Sequence, residues 1–174
     1  MKKTGLVHIY TGDGKGKTTA AIGLAIRARG AGLRVIVAQL FKKGSGEAKI
    51  LKKIGVKHME YSSKHPFFKR YSKEELELEA KQCTAFVRGV FNIVKSEEYD
   101  LVVLDEIGPA LKFKLIKAEE LANFIKSKPE KTELVMTGRG FLTQIIKLAD
   151  YVTEMKMMSH PFDKGVSARK GIEY

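Results

Sequence analysis

A glycine- and lysine-rich segment near the start of the chain constrains the fold more than any other feature. It lies between an apolar run at 6–10 and a helical pattern at 18–29. Glycines let the backbone curl so that several N–H groups point inward, and the helix that follows adds the positive end of its dipole. A strand, such a loop and a helix in this order predict a phosphate-binding loop. The predicted phosphate-binding residues are Gly12, Asp13, Gly14, Lys15, Gly16, Lys17, Thr18 and Thr19.

Two side chains of this loop have specific predicted roles. Lys17 supplies a positive charge to phosphate oxygens, and the hydroxyl of Thr18 can bind Mg²⁺. The loop departs from the standard phosphate-binding pattern at its first position, where Thr11 stands in place of glycine. An ordinary glycine-rich turn is the alternative interpretation, and the agreement of strand, loop, Gly-Lys-Thr and helix disfavours it.

The rest of the chain alternates short apolar runs with helical patterns. The runs are continuous, which is typical of parallel strands covered on both faces. The sequence therefore predicts one α/β domain over residues 1–174, with about six mostly parallel strands and helices on both faces. Ser72 and Glu75 form a capping box that starts a long helix. Strands are expected at 6–10, 34–40, 56–61, 101–105, 132–137 and 151–155, and the other helices at 18–29, 47–54, 117–126 and 141–148.

The fourth predicted strand ends in two carboxylates, Asp105 and Glu106. Acids at the end of such a strand face the metal of a nucleotide site, and we expect this strand to lie beside the strand that precedes the phosphate-binding loop. Thr18, Asp105 and Glu106 are therefore the predicted ligands of Mg²⁺ or Mn²⁺. Either acid could instead cap the next helix or face solvent.

Composition limits the class of protein. The 174 residues are 44% hydrophobic, which is enough to bury a core and excludes disorder as the main state. The net charge of +12 favours an anionic partner. The single cysteine, Cys83, excludes an intrachain disulfide and favours a reducing compartment, the cytoplasm. The apolar run after the first lysines stops at Tyr10, so it predicts neither a signal peptide nor a membrane span.

Other conspicuous side chains have plain structural interpretations. Cys83 lies at helical spacing with apolar neighbours and is expected in the core. The four histidines do not share a metal-ligand spacing and are expected to be structural or at the surface. The segment 42–70 carries nine Lys and Arg, two Glu and several aromatic residues. Such a mixture is typical of nucleic-acid surfaces, but a solvated lysine-rich helix face is favoured because Lys49, Lys52 and Lys53 share one short helix.

Several blocks of the chain resemble a known family. The loop at 11–21, Val102-Val103-Leu104-Asp105-Glu106, Thr137-Gly138-Arg139-Gly140, the block at 148–154 and the tail at 161–174 are similar, in this order, to the P-loop ATP:corrinoid adenosyltransferases. Threonine at the first loop position is a variant of that family. The loop alone is shared with many ATPases, whereas the Thr-Gly-Arg-Gly block and the tail are much more specific.

The resemblance implies a RecA-like fold and transfer of the 5′-deoxyadenosyl group from ATP to Co(I) of a corrinoid. It implies a triphosphate bound in reversed orientation, with the ribose C5′ facing the corrinoid. Lys17 and Glu106 are then catalytic, because they stabilise charge on the departing triphosphate, and Arg139 joins the substrate-binding residues. The implied ligands are ATP, Mg²⁺ or Mn²⁺, and cob(I)alamin or an incomplete corrinoid. The implied protein partners are an electron-donating reductase and a second copy of the chain in a homodimer.

Two features depart from the family pattern. Some members place a Phe and a Trp between the third strand and the long helix, where they displace the lower ligand of cobalt. This chain has no tryptophan, and its stretch there is His65-Pro66-Phe67-Phe68-Lys69-Arg70. Pro66 and the flanking Lys69 and Arg70 predict an exposed loop here. We interpret Phe68 as the remaining aromatic contact with the corrinoid, and the adjacent Phe67 is the alternative. The chain also begins at its first strand, whereas several members have an N-terminal extension that helps to cover the active site.

Other classes of nucleotide-binding protein remain as alternatives. A RecA-like ATPase stimulated by nucleic acid would explain the paired acids and the positive charge, although nucleic acid is the less favoured partner. A small-molecule kinase would be expected to have an arginine-rich lid, and a GTPase an Asn-Lys-x-Asp motif. The sequence has neither. A non-catalytic ATP sensor also stays open.

Overall fold

The computed structural model describes residues 4–173. Its strands are β1 (Val7–Thr11), β2 (Val35–Leu40), β3 (Lys57–Tyr61), β4 (Leu101–Asp105), β5 (Glu133–Thr137) and β6 (Tyr151–Glu154). Its α-helices are α1 (Lys17–Gly30), α2 (Gly46–Lys53), α3 (Lys73–Ser96), α4 (Ile107–Lys112), α5 (Ala118–Ser127) and α6 (Thr143–Ile146). Two 3₁₀ turns lie at Pro66–Phe68, here called the aromatic turn, and at Pro161–Lys164.

The strands form one sheet in the order β3-β2-β4-β5-β1-β6, and every neighbouring pair is parallel. This confirms the predicted α/β class and the RecA-like arrangement. Because all strands run in one direction, their carboxyl ends share one edge of the sheet. The phosphate-binding loop follows β1 at this edge, and Glu106 follows β4 there.

Alternate residues of the central strands point into two separate cores. Val35 and Val37 of β2 pack with Ala21 and Ala25 of α1 on one face. The intervening Ile36 packs on the other face, in a core that contains residues of α3 and α5. Since both faces of β2 and β4 are covered, these strands are buried along their whole length. This explains their continuous apolar sequences.

The predicted start of α3 is confirmed. The Ser72 hydroxyl accepts a hydrogen bond from the Glu75 N–H at 3.2 Å, and the Glu75 carboxylate accepts one from the Ser72 N–H at 2.9 Å. This reciprocal pair satisfies two donors that the helix itself cannot. Cys83 lies on the apolar side of α3 and is fully buried, as expected. Burial raises the pKa of its thiol to about 12, which disfavours the reactive thiolate.

Two expectations about the fold were wrong, and one helix was missed. β4 does not lie beside β1, because β5 occupies the place between them. The sequence of β5 includes Leu134, Val135 and Met136, all fully buried, which suits an interior position. α4 was missed, since its first turn contains Gly108 and Pro109, both unusual inside a helix. The helix expected at 141–148 is a single turn, α6.

Candidate active site at the carboxyl edge of the sheet

The phosphate-binding loop is folded as its glycines predict. Gly12 and Gly16 have φ of 97° and 115°, a region that favours glycine. The Gly14 N–H donates to the Met155 carbonyl at 2.7 Å. A Cβ on Gly12 would lie 2.4 Å from the same carbonyl oxygen. The loop is therefore packed against the chain that follows β6, and a side chain at Gly12 or Gly14 would force the two apart.

The Lys17 side chain crosses the inside of the loop. Its ammonium donates to the Gly14 carbonyl at 2.6 Å. Burial lowers the pKa of Lys17, and the nearby charge of Arg139 lowers it further, while Glu106 and the other acids of the site raise it. The ammonium is thus half-buried and held by the loop whose N–H groups would cradle a polyphosphate.

Asp105 is a fully enclosed acid of the site. Its carboxylate is fully buried and accepts four hydrogen bonds. Burial alone would raise its pKa, but the charge and hydrogen bonds of its partners outweigh burial, and the pKa is lowered. Asp105 is therefore held as an anion at the end of β4. The donors are Thr18 at 2.9 Å, Thr137 at 2.6 Å, Gln39 at 2.9 Å and Lys42 at 2.8 Å.

Glu106 has a different environment, although it is the next residue. Its backbone is left-handed, with φ of 62°, a strained conformation that non-glycine residues rarely adopt. The Glu106 N–H donates to the Thr137 hydroxyl at 3.0 Å, which fixes this turn. Its side chain is 18% exposed, and the carboxylate lies 3.5 Å from His65 Nε2. Glu106 therefore faces the open side of the site, where a ligand can reach it.

Four polar side chains of this site were missed by sequence reasoning: Gln39, Lys42, His65 and Thr137. Gln39 gave a signal, because it is a polar residue inside the apolar run of β2 and is fully buried. Lys42 is one of many lysines in segment 42–70, so the sequence does not distinguish it from them. The structure separates it from Lys49, Lys52 and Lys53, which are exposed on α2 as expected of a solvated face. For His65 the sequence predicts only a structural or surface position, and Thr137 gives no signal beyond its place in a matched block.

Arg139 reaches back to the phosphate-binding loop from the turn after β5. Its guanidinium donates to the Asp13 carbonyl at 2.8 Å and lies 3.1 Å from the Asp13 carboxylate. Both side chains are exposed, at 46% and 74%, so this pair is accessible to a ligand. Gly138, which precedes Arg139, has φ of 128° and packs against α4, and this close approach directs the turn toward the loop.

The aromatic turn lies at the same edge, near Glu106. Phe68 is 88% exposed, which agrees with its predicted place in an exposed loop. Phe67 stacks on His65 at 5.3 Å and meets the Phe113 ring edge-on at 5.0 Å, so it is partly covered. His65 Nδ1 accepts the Phe67 N–H at 3.3 Å, and His65 Nε2 lies 3.5 Å from the Glu106 carboxylate.

The C-terminal tail returns to the phosphate-binding loop. The Lys15 ammonium donates to the Glu173 carboxylate at 2.9 Å, and Arg169 donates to the same carboxylate through its backbone and side chain. These donors lower the pKa of Glu173. The tail block noted in the sequence therefore contacts the loop block, although more than a hundred residues separate them.

The strand order, the lysine-containing loop after β1 and the acids after β4 define a RecA-like P-loop nucleotide-binding protein. Within that class, comparison with protein families identifies one family. The family model described as ATP:corrinoid adenosyltransferase BtuR/CobO/CobP matches residues 3–174. The chain therefore belongs to the ATP:corrinoid adenosyltransferase family, whose members are transferases.

Three relatives named corrinoid adenosyltransferases are similar to most of the chain. The protein from Escherichia coli K12 is 33% identical, and the alignment covers 98% of this chain and 86% of that protein. The protein from Salmonella typhimurium, named CobA, is 34% identical, with 100% and 88% covered. The protein from Sinorhizobium sp is 32% identical, with 98% and 80% covered. These matches do not favour the alternative of a nucleic-acid-stimulated ATPase.

Two further findings bear on the sequence expectations. Within residues 4–173, His, Cys, Asp and Glu side chains do not gather in groups of three or more that could hold a metal ion. Across the same residues, every helix is too short or too polar to cross a lipid bilayer.

Proposed function

We propose that the protein transfers the 5′-deoxyadenosyl group of ATP to Co(I) of a corrinoid and releases triphosphate. The observation that carries this proposal is the family match over residues 3–174. The cobalt electron pair attacks C5′ and forms the Co–C bond. The C5′–O bond breaks, and its electrons leave on the triphosphate. The corrinoid therefore carries the difficult chemistry, and the protein binds, orients and stabilises charge.

Lys17 and the loop N–H groups are the proposed stabilisers of the leaving group. Negative charge grows on the triphosphate as C5′–O breaks, and donors that are already in place stabilise that charge without reorganisation. Lys17 is held by the Gly14 carbonyl at 2.6 Å, and it can exchange this partner for a phosphate oxygen. Gly12, Asp13, Gly14, Lys15, Gly16, Thr18, Thr19 and Arg139 complete the proposed ATP site.

The side chains at this edge fit a divalent cation bound with ATP. Mg²⁺ prefers one or two carboxylates together with phosphates and waters. Glu106 presents a partly exposed carboxylate, and the Thr18 hydroxyl, which donates its proton to Asp105, keeps acceptor capacity. Thr18 and Glu106 are the candidate direct ligands of Mg²⁺ or Mn²⁺, and Asp105, the third predicted ligand, lies behind Thr18 and accepts its hydroxyl proton. When bound, the cation would neutralise charge on the triphosphate.

Phe68 is the proposed contact with the corrinoid. A phenyl ring that is 88% exposed is stabilised when a large apolar ligand covers it. The aromatic turn is joined to Glu106 through His65, so a corrinoid seated on Phe68 would lie beside the proposed cation site. This arrangement supports a corrinoid seat without tryptophan.

The proposed setting follows from the chemistry of Co(I). Co(I) requires an electron donor, so a reductase is the proposed partner that supplies cobalamin or an incomplete corrinoid in reduced form. Such a reaction suits the cytoplasm, and a single buried Cys83 is compatible with that compartment. A homodimer is proposed from the resemblance to the family.

The released product tests this function. Protein, ATP, Mg²⁺ and cob(I)alamin kept reduced without oxygen are mixed, and phosphates are resolved by ³¹P NMR or ion chromatography. We expect one triphosphate for each adenosylated corrinoid, and unchanged ATP when the corrinoid is omitted. Release of ADP and orthophosphate without corrinoid, increased by DNA or RNA, would overturn the proposal in favour of a RecA-like ATPase.

A further inference from the structure

Lys42 occupies the polar cluster at the end of β4, although it follows a different strand. The preceding residue, Phe41, is left-handed with φ of 58° and is buried. This turn brings the Lys42 ammonium to 2.8 Å from Asp105 Oδ2 and 3.2 Å from Thr18 Oγ1. The left-handed backbone of Phe41 has a conformational cost. The surrounding structure must therefore stabilise this turn, and with it the position of the Lys42 ammonium.

The hydrogen bonds of Asp105 leave little capacity for a cation. Oδ1 accepts from Thr18 and Thr137, and Oδ2 accepts from Gln39 and Lys42. A carboxylate has about four lone-pair directions, and all of them are engaged here. Direct coordination of a cation by Asp105 would require the loss of a donor, and Lys42 is the donor that carries the opposing charge.

Glu106 contrasts with its neighbour. Its carboxylate is partly exposed and contacts His65. Within residues 4–173, lysine and arginine side chains do not form an ion pair with it. The two adjacent acids therefore differ in their partners. Asp105 is paired with a lysine, whereas Glu106 is partly exposed and contacts only a histidine among the basic side chains of residues 4–173.

We propose that Lys42 is a positioning residue that holds Asp105 as a fixed anion behind Thr18 and keeps divalent cations away from it. The cation that arrives with ATP then meets Glu106 and the remaining lone pair of the Thr18 hydroxyl. This inference rests on the proposed cation site. It assigns Asp105 to orienting Thr18, and it leaves Glu106 as the carboxylate that binds the cation.

Cation binding in the absence of nucleotide tests the role of Lys42. Removal of the ammonium frees Asp105 Oδ2 and removes a repulsive charge, so the Lys42→Met variant should gain a cation site. We expect nucleotide-free Lys42→Met to bind Mn²⁺ about tenfold more tightly than the wild type, measured from the EPR signal of free Mn²⁺. Lys42→Arg keeps the charge and should resemble the wild type. Lys42→Met/Asp105→Asn should lose the gained affinity.

Lys43→Met is the matched control, because Lys43 is the adjacent exposed lysine. It removes the same charge at nearly the same place in the sequence and should leave Mn²⁺ binding unchanged. Equal Mn²⁺ affinity in Lys42→Met and the wild type would overturn the proposal, and so would an equal gain in Lys43→Met. The assay contains neither ATP nor corrinoid, so its failure leaves the proposed transfer reaction untouched.

A second measurement needs no substituted protein. A crystal structure of the wild type with Mg²⁺ and a non-transferable ATP analogue would show the carboxylates directly. We expect Lys42 to remain hydrogen-bonded to Asp105 and Glu106 to coordinate the cation. Direct coordination of the cation by Asp105, with Lys42 displaced, would overturn the proposal whether or not the variants fold.

Discussion

The end of β4 and the aromatic turn lie at the same edge of the sheet. They differ in how far the protein itself buries their side chains and fills their hydrogen bonds. At the end of β4, Asp105 is fully buried and accepts hydrogen bonds from four side chains. At the aromatic turn, Pro66 is buried while Phe68 is 88% exposed. In the first region the polar groups are already fixed by hydrogen bonds before a ligand binds. The second region presents apolar surface that a ligand would cover.

This difference separates two kinds of contribution to an enzyme. Fixed donors and charges act on the transition state, because they need no rearrangement when charge develops. An exposed ring contributes mainly to binding, because its apolar area is removed from water when the ligand settles on it. Substitutions in the phosphate-binding loop and at the carboxylates that end β4 should therefore change turnover. Substitutions in the aromatic turn should change the apparent affinity for the corrinoid.

The largest expected effect is that of Lys17→Ala. Loss of a charge that faces the leaving triphosphate should raise the barrier by about 3 kcal/mol and lower kcat more than about a hundredfold. The thermal unfolding midpoint should change little, since Lys17 is not part of an apolar face. Lys49→Ala on the exposed side of α2 is the control for loss of a lysine. Near-wild-type turnover of Lys17→Ala would remove this loop from the active site.

Glu106→Gln should have the next largest effect. It should raise the Mg²⁺ concentration needed for half-maximal activity by about tenfold, because a carboxylate ligand becomes a neutral amide. ATP affinity measured with EDTA should stay within about twofold of the wild type. An unchanged metal titration would show that this carboxylate does not meet the cation.

Asp105→Asn sharpens the contrast between the two acids. The substitution breaks the ion pair with Lys42 and alters hydrogen bonds in a buried site. We expect a loss of about 2 kcal/mol in the free energy of unfolding, measured by urea denaturation. Glu106→Gln, at a partly exposed position, is the comparison and should lose less. Equal stability of Asp105→Asn and the wild type would contradict the structural role assigned to Asp105.

The features that the sequence predicts well are local, and those that it misses depend on contacts between distant segments. The phosphate-binding loop and the Ser72 cap are local patterns, because the residues that interact are within a few positions of each other. The place of Lys42 depends on a left-handed turn at Phe41 and on the neighbouring positions of β2 and β4. No local pattern encodes that pairing. The order of the strands is also not predicted by local patterns, since β4 and β5 are both continuous apolar runs.

The aromatic turn is the region where sequence reasoning has the least support, because two adjacent phenylalanines could each meet the corrinoid. The structure distinguishes their surroundings. Phe67 is partly covered by His65, by the Phe113 ring and by Lys112, whose ammonium lies 4.8 Å from the Phe67 ring centre. Phe68 is exposed and makes a tilted contact with His65 at 5.7 Å. Their alanine variants should therefore differ in both stability and substrate binding.

The smallest expected effect is that of Phe68→Ala. Its free energy of unfolding should stay within about 0.5 kcal/mol of the wild type, because an exposed ring loses little packing. The KM for the corrinoid should rise about fivefold to tenfold, as expected for the loss of a partly covered ring, while the KM for ATP stays unchanged. Phe67→Ala is the matched comparison and should lose about 1–2 kcal/mol of stability through its ring contacts. If Phe67→Ala alone raises the corrinoid KM, then Phe67 is the contact and the assignment of Phe68 is wrong. If neither variant changes it, the corrinoid binds away from the aromatic turn, and the contrast between the two regions is no longer one between catalysis and binding.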